Sequence, residues 1–398
     1  MTGTANRTVE LLDQLIGFDT TSHLSNLNLI SFIEEYLARH GVATRRIESD
    51  DREKSNLLAT IGPDIPGGVV LSGHTDVVPV TGQDWSSNPF TLDTRLVDGD
   101  ARHYGRGSAD MKGFIATVLA QVPKLVAADL KTPIHIALSY DEEVGCLGVG
   151  SMIEKLGTTI PMPAIAIVGE PTSMQIVTGH KGIRGFETVF TGVAAHSSAP
   201  HLGVNSIVYA ATFITFLQSL ATEQEQDSNP ESGFTPPWTT FNVGLIQGGE
   251  ALNIIAERCA VSWEFRPLPE TDFVALEARV RAYIDDEIRP ALKAINPATD
   301  VEIHPLAAVP PMHPDPDSAA ERLARHLTGA NTTHTVAYVA EASQFQKHGI
   351  PTVLCGPGDI AQAHQPDEWI AQSELDACED FLDRLQAWAA SGDAIPNG

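Results

Sequence analysis

The chain is short of cysteine, of positive charge and of long apolar runs. Its four cysteines, Cys146, Cys259, Cys355 and Cys378, stand far apart with no C-x-x-C spacing. That excludes a disulfide framework or zinc knuckle and leaves reduced, buried thiols. Only 25 Lys and Arg stand against 51 Asp and Glu, for a net charge of −26. Nucleic acid and anionic membrane both need cationic side chains to release counterions or meet headgroups, so neither is expected as a partner. No segment approaches the ~18 apolar residues of a membrane span. Residues 1–19 are polar and amphipathic without a signal-peptide apolar block, so a cytoplasmic protein is expected.

What is present is enough chain for more than one core. At 398 residues, with 42% hydrophobic and 19% charged residues, two soluble globular domains are expected. Residues 8–16 and 27–40 carry apolar side chains at three- and four-residue spacing, and Gly41 follows as a stop. Short apolar runs at 56–61, 69–72, 134–139 and 164–168 suit strands covered on both faces, with a helical stretch at 113–128 between them. This alternation predicts an α/β layer with a mostly parallel central sheet flanked by helices. The middle of the chain changes character. Residues 182–191, 243–246 and 258–265 read as half-exposed strands, 204–220 and 271–288 as helices, and 222–237 as a loop. A smaller α+β domain over 180–293 is therefore expected, inserted into a first domain made of 1–179 and 294–398. Helices at 318–327, with Ser318 as N-cap, and 372–390, and strands at 335–339 and 350–355, complete the first domain.

Five segments place an acid or histidine at the end of an apolar run or ahead of a helix. In Gly73-His74-Thr75-Asp76 an extended backbone puts His74 and Asp76 on one face, a spacing that lets a carboxylate orient a metal-binding imidazole. Alone, it reads equally as a strand-end histidine beside a turn aspartate. Asp110, in Gly105-Arg106-Gly107-Ser108-Ala109-Asp110-Met111-Lys112-Gly113, is either a helix N-cap or a carboxylate able to bridge two cations about 3.5–4 Å apart. Glu142 and Glu143 repel each other unless a cation or shared proton relieves them. On extended chain they point apart, which suits Glu143 as a ligand and Glu142 as general base; two solvated loop acids is the plainer alternative. Glu170, before Pro171, and His364, in Ala363-His364-Gln365-Pro366-Asp367-Glu368-Trp369, are weak signals singly. Together, two imidazoles and several carboxylates suit a pair of divalent ions, and zinc, cobalt and manganese all accept such ligands. In the inserted domain His196, Asn253 and Arg266 offer groups for an oxyanion and a substrate carboxylate, or else two turns and a surface arginine.

Taken together these motifs resemble the di-zinc aminoacylase and carboxypeptidase family, over residues 11–369. His-Thr-Asp, Gly-Arg-Gly-Ser-Ala-Asp-Met-Lys-Gly and Asp-Glu-Glu carry the resemblance. Gly-Glu-Pro-Thr, His180-Lys181-Gly182, His-Ser-Ser-Ala-Pro, Arg266-Pro267-Leu268-Pro269 and Ala-His-Gln-Pro-Asp-Glu-Trp point to its deacetylase branch. The resemblance implies a lid or dimerisation domain inserted into a catalytic domain, two divalent ions (zinc, with cobalt as the other candidate) and a homodimer formed through the lid. Asp110 would bridge the ions, with His74 and Glu170 on one and Glu143 and His364 on the other. Asp76 would support His74, Glu142 would shuttle the proton, and Asp110-Met111 would be a cis peptide. His196, from a partner subunit's lid, would stabilise the oxyanion, and Asn253 and Arg266 would hold a small N-acyl amino acid. The substrate the branch implies is N²-acetyl-L-ornithine, cleaved to ornithine and acetate in arginine biosynthesis. Desuccinylation of a diaminopimelate precursor, aminoacylase or dipeptidase activity, and a non-catalytic metal-binding relative are the alternatives. The chain departs from many relatives in lacking a proline within Asn253-Ile254-Ile255-Ala256.

Overall fold

The computed structural model describes residues 3–395, and the chain divides into two compact units. The first unit opens with helices α1 (Gly3–Ile16) and α2 (Leu27–Arg39). Its strands up to the division are β1 (Thr44–Glu48), β2 (Ser55–Ile61), β3 (Val69–His74), β4 (Asp93–Val97), β5 (Asp100–Tyr104), β6 (Ile134–Ser139), β7 (Ile165–Pro171) and β8 (Val177–His180). Helices α3 (Gly113–Ala127) and α4 (Val149–Ile153) lie among them.

The second unit, His180–Pro311 with Val336–Val339, contains β9 (Ile183–Thr191), α5 (Ser206–Gln226), β10 (Thr240–Gly248), β11 (Arg258–Arg266), α6 (Phe273–Tyr283), α7 (Arg289–Ile295) and β12 (Asp300–Val309). The rest supplies α8 (Ala319–Thr328), β13 (His334–Val336), α9 (Ala342–Lys347), β14 (Thr352–Gly356), β15 (Trp369–Ala371) and α10 (Gln372–Ser391).

An eight-stranded sheet runs in the order β1-β2-β6-β3-β7-β14-β8-β13. Its centre is parallel, β6 with β3, β3 with β7 and β7 with β14. Antiparallel pairs flank it, β1 with β2, β2 with β6 and β14 with β8. Strands β3, β6 and β7 are buried at every position, as their unbroken apolar runs require when helices cover both faces. Helix α3 is buried through most of its length and packs against α1 and α10. It joins Leu119, Val122, Leu15, Phe381 and Leu385 in the main core. Helix α8 starts as its sequence suggests, with Ser318 Oγ accepting the Glu321 N–H at 3.2 Å.

The second unit is a four-stranded antiparallel sheet in the order β10-β11-β9-β12. Phe186, Phe190, Phe213, Trp263 and Phe265 dominate its core. Two expectations differ from the structure here. Residues 222–226 continue α5, because Thr-Glu-Gln-Glu-Gln is polar yet still supports helix. The first unit does not resume at 294, because β12 pairs with β9 along its length and keeps the chain in the second unit to Pro311. The small sheet β15-β5-β4 is also absent from the sequence reading. β4 and β15 alternate half-exposed and other positions instead of forming apolar runs.

Candidate active site

The parallel strands end together, and their ends supply the candidate groups, as open α/β sheets generally do. β3 ends at His74, β6 leads into Asp141, Glu142 and Glu143, and β7 carries Glu170. Asp110 lies in the turn at Ser108–Lys112 that opens α3, beside a cis Asp110-Met111 peptide. His364 comes from the segment before β15 and takes φ 64°, a left-handed conformation uncommon outside glycine. Glycine is required where these elements meet. A Cβ on Gly169, next to Glu170, would stand 2.1 Å from the Phe114 ring, and one on Gly356 would stand 2.2 Å from the Gly169 carbonyl.

The side chains gather into two groups that share Asp110. His74, Asp110 and Glu170 form one, and Asp110, Glu143 and His364 the other, with the offered ligand atoms of each within 4.8 Å of one another. His74 Nε2 lies 2.9 Å from Asp110 Oδ1. His364 Nε2 lies 3.4 Å from Asp110 Oδ2 and 3.0 Å from Glu143 Oε2. Glu170 Oε1 is buried and has no hydrogen-bond partner. A buried carboxylate oxygen without a donor is strongly disfavoured unless a cation sits beside it. Two imidazoles and three carboxylates around such an oxygen form a donor set that fits two borderline divalent ions.

The electrostatics follow from crowding. Burial and the neighbouring charges of Asp110 and Glu142 push Glu170 far above the usual carboxylate range. Glu142 and Glu143 rise for the same reason, burial first and then repulsion from nearby acids. Asp110 goes the other way: burial would raise it, but hydrogen bonds from His364 and His74 hold it well below the usual range. His74 is lifted well above an ordinary histidine, against burial, by Asp110 and the surrounding acids. These are groups whose charges cannot all coexist without cations or shared protons.

Asp76 supports His74 by another route than its carboxylate. His74 Nδ1 donates to the Asp76 main-chain carbonyl at 2.9 Å, while the carboxylate oxygen is 3.8 Å away. The carboxylate instead accepts from Glu142 N at 3.1 Å, Glu143 N at 3.3 Å and Ser22 Oγ at 2.7 Å. One residue thus fixes the imidazole tautomer and anchors the Glu-Glu turn.

Several residues around the site were not singled out from sequence, most of them buried. Glu368 accepts from Arg106 Nη1 (2.7 Å), Gly107 N (2.9 Å), Ala109 N (2.9 Å) and Asp110 N (3.0 Å), and so holds the whole turn that presents Asp110. Gln83 Nε2 donates to the His364 carbonyl at 2.8 Å, and Arg106 Nη2 donates to Gln83. Glu341 accepts from Ser72 Oγ and Ser139 Oγ, tying together β3 and β6 just before their functional ends. Lys112 donates to the Phe18 carbonyl at 2.8 Å, and burial brings its pKa down to about 7. Glu368 falls inside a motif visible in the sequence; Glu341 has no local signal, since its partners lie 202 and 269 residues away.

The remaining candidates belong to the second unit. His196 and Asn253 are exposed and sit on adjoining segments, linked by the His196–Ile254 bridge and by Ser197 N donating to the Asn253 carbonyl at 2.9 Å. His196 Nδ1 lies 2.8 Å from Ser198 Oγ. Arg266, at the end of β11, pairs with Glu264 at 2.9 Å. Lys181 Nζ donates to the Trp238 carbonyl at 2.6 Å, and burial, with Arg266 nearby, lowers its pKa to about 8.

A sheet-end cluster of imidazoles and carboxylates, with one acid shared between two groups, defines a candidate metal-dependent hydrolase. Residues 70–387 match the model of Peptidase family M20/M25/M40, and the chain belongs to that family. It is 34% identical over 367 residues to an acetylornithine deacetylase of Pasteurella multocida (strain Pm70), covering 91% of each chain. It is also 34% identical over 386 residues to one of Myxococcus xanthus, covering 96% of this chain and 97% of the other. The fold is similar to that of a tripeptidase from Staphylococcus aureus, with TM-score 0.74 and 19% identity over 97% of this chain and 99% of that one. The chain is thus a metal-dependent hydrolase of the deacylase and peptidase kind. No helix among the described residues is long and apolar enough to cross a membrane.

Proposed function

We propose that the protein is a two-metal amide hydrolase that removes the acetyl group from N²-acetyl-L-ornithine, giving ornithine and acetate in arginine biosynthesis in the cytoplasm. The observation that carries the hydrolase reading is Asp110, common to both candidate ligand groups, with Glu142 beside them and belonging to neither. The substrate is supported by relatives of near-equal length that are acetylornithine deacetylases.

Asp110 would bridge two divalent ions, zinc or cobalt, with His74 and Glu170 completing one set and Glu143 and His364 the other. Bound there, the ions would lower the pKa of a water and polarise the scissile carbonyl. Glu142 takes the water's proton and returns it to the departing amine, which makes the C–N bond cleavable. In the metal-free protein, burial and the neighbouring acids raise Glu142 above the usual carboxylate range, so it holds a proton more readily than an exposed acid. Asp76 orients His74 and the Glu142 backbone. In the dimer of this reading, the partner's His196 would donate to the carbonyl oxygen as it gains charge, and Asn253 and Arg266 would hold the amino-acid part, Arg266 through its carboxylate.

A homodimer through the second unit is part of the same reading. Its support is β10, an edge strand with Leu245 and Ile246 exposed, and α5, which packs on β10 and exposes Val208. An apolar, unpaired strand edge of this kind favours pairing with another chain.

The test is a hydrolysis panel with zinc-loaded protein: N²-acetylornithine, N-succinyl-diaminopimelate, acetylmethionine and a dipeptide. Preference for acetylornithine, abolished by chelator, supports the reading. Preference for another substrate keeps the site and discards the pathway. Two bound metals and no turnover would discard the reaction.

A further inference from the structure

Cys146 is buried, 3% exposed, in the turn that follows the Glu142-Glu143 pair, and the reaction above gives it no task. The turn is tightly built. Gly145 N and Cys146 N both donate to the Glu142 carbonyl (2.9 and 2.8 Å), and Leu147 N donates to the Asp141 carbonyl (2.9 Å). From α9, Gln344 Nε2 donates to the Cys146 carbonyl at 2.9 Å. Cys146 itself takes φ 53°, where glycine would be accommodated with less strain. A strained left-handed position that nevertheless carries a side chain points to that side chain having work to do. Its Sγ lies 3.2 Å from Glu142 Oε1, a short contact for a thiol donor.

We propose that Cys146 is a positioning residue for Glu142: its S–H donates to Oε1 and leaves Oε2 to face the water and then the leaving amine. The inference rests on Glu142 acting as the proton shuttle of the deacylase reading. Burial, with the negative charge of Glu142 and Glu341 nearby, keeps the thiol protonated and therefore a donor. A thiol suits the place because it is a weak donor. It fixes the rotamer of a side chain with three rotatable bonds, but takes little of the carboxylate's basicity, which a strong donor would quench. The hydrogen bonds within the turn and from Gln344 hold the Cys146 backbone from two directions, so the thiol is placed before substrate arrives.

Cys146→Ala removes the donor, and Cys146→Ser keeps one of similar size. With zinc-loaded protein we expect both variants to retain the parental metal content, melting temperature and KM. The alanine variant should lose about tenfold in kcat, as for loss of one hydrogen bond to a charged group, and the serine variant should recover most of it. Packing alone would give the reverse order, because a buried hydroxyl without a task is worse than a methyl group. A second readout needs no turnover: the infrared S–H stretch of Cys146, assigned by its loss in Cys146→Ala, should lie below the free-thiol position and rise in Glu142→Ala. Parental kcat in the alanine variant, serine below alanine, or an unshifted S–H band would overturn the role. A parent that hydrolyses no acyl-amino acid would instead bring down the functional reading, and this role with it.

Discussion

Replacing Glu368 by glutamine should be among the most damaging near-isosteric changes in the first unit. Each carboxylate oxygen accepts two hydrogen bonds, Oε1 from Ala109 N and Asp110 N, Oε2 from Arg106 Nη1 and Gly107 N. The side chains of Glu368 and Arg106 are both 1% exposed. A glutamine keeps the shape, but in either orientation its NH₂ meets two donors, and the guanidinium is left without its counter-charge. Breaking one side of a buried ion pair costs about 3–5 kcal/mol, and a buried unsatisfied donor about 1–3 kcal/mol. Because these effects share one site they do not add, and we expect a loss of about 4 kcal/mol. Urea unfolding of the metal-free protein at pH 7.5, followed by tryptophan fluorescence, measures it; Trp85 lies 5.0 Å from the Arg106 guanidinium and reports on the region. The same variant should hold metal less tightly, since the turn carrying Asp110 loses its anchor. A loss below about 1 kcal/mol would refute the reasoning, because it would mean that Glu368 is already neutral and that a glutamine is equivalent to it.

Glu142→Ala should retain both ions while kcat falls by at least ~10²-fold, read by metal analysis and steady-state kinetics; near-parental turnover would remove Glu142 from the proton shuttle. Asp110→Ala should lose metal from both groups, and full metal content in that variant would contradict the bridging assignment. Metal uptake should release protons. His364 is raised from 6.5 to about 10 by Asp110 and Glu143, so its protonated ring stabilises the metal-free fold fully below about pH 6.5, and that contribution fades as pH rises through about 10. An ion must displace that proton, so affinity should climb with pH over the same interval, and the calorimetric heat at pH 7.5 should depend on the buffer's ionisation enthalpy. Identical heats in two buffers would contradict this.

The main sheet was legible because β3, β6 and β7 are buried on both faces and therefore read as unbroken apolar runs, with an acid or histidine standing where each run stops. His74, Glu143 and Glu170 stand out for the same reason, whereas Asp110, in the turn before α3, and His364, in the loop before β15, are legible through the motifs that carry the family resemblance. The polar frame around them could not. Glu368 reaches Asp110 across 258 residues and Glu341 reaches Ser72 across 269, and no periodicity connects such positions. Asp76 shows a finer limit: the spacing placed it near His74, but whether its carbonyl or its carboxylate meets the ring depends on how the chain turns after β3. In the second unit, β12 carries little sequence signal because only Val301 and Val309 are buried along it and it includes Pro305, although it is ten residues long and pairs with β9. Helix α5 outruns its apolar pattern for the complementary reason, since its last residues support helix without an apolar stripe.

The most direct measurement is a zinc titration of metal-free protein while hydrolysis of N²-acetyl-L-ornithine is followed. No turnover is expected without metal, with a rise that saturates at two ions per chain and complete loss on adding chelator. Turnover by the metal-free protein, or saturation at a single ion, would contradict the two-metal reading.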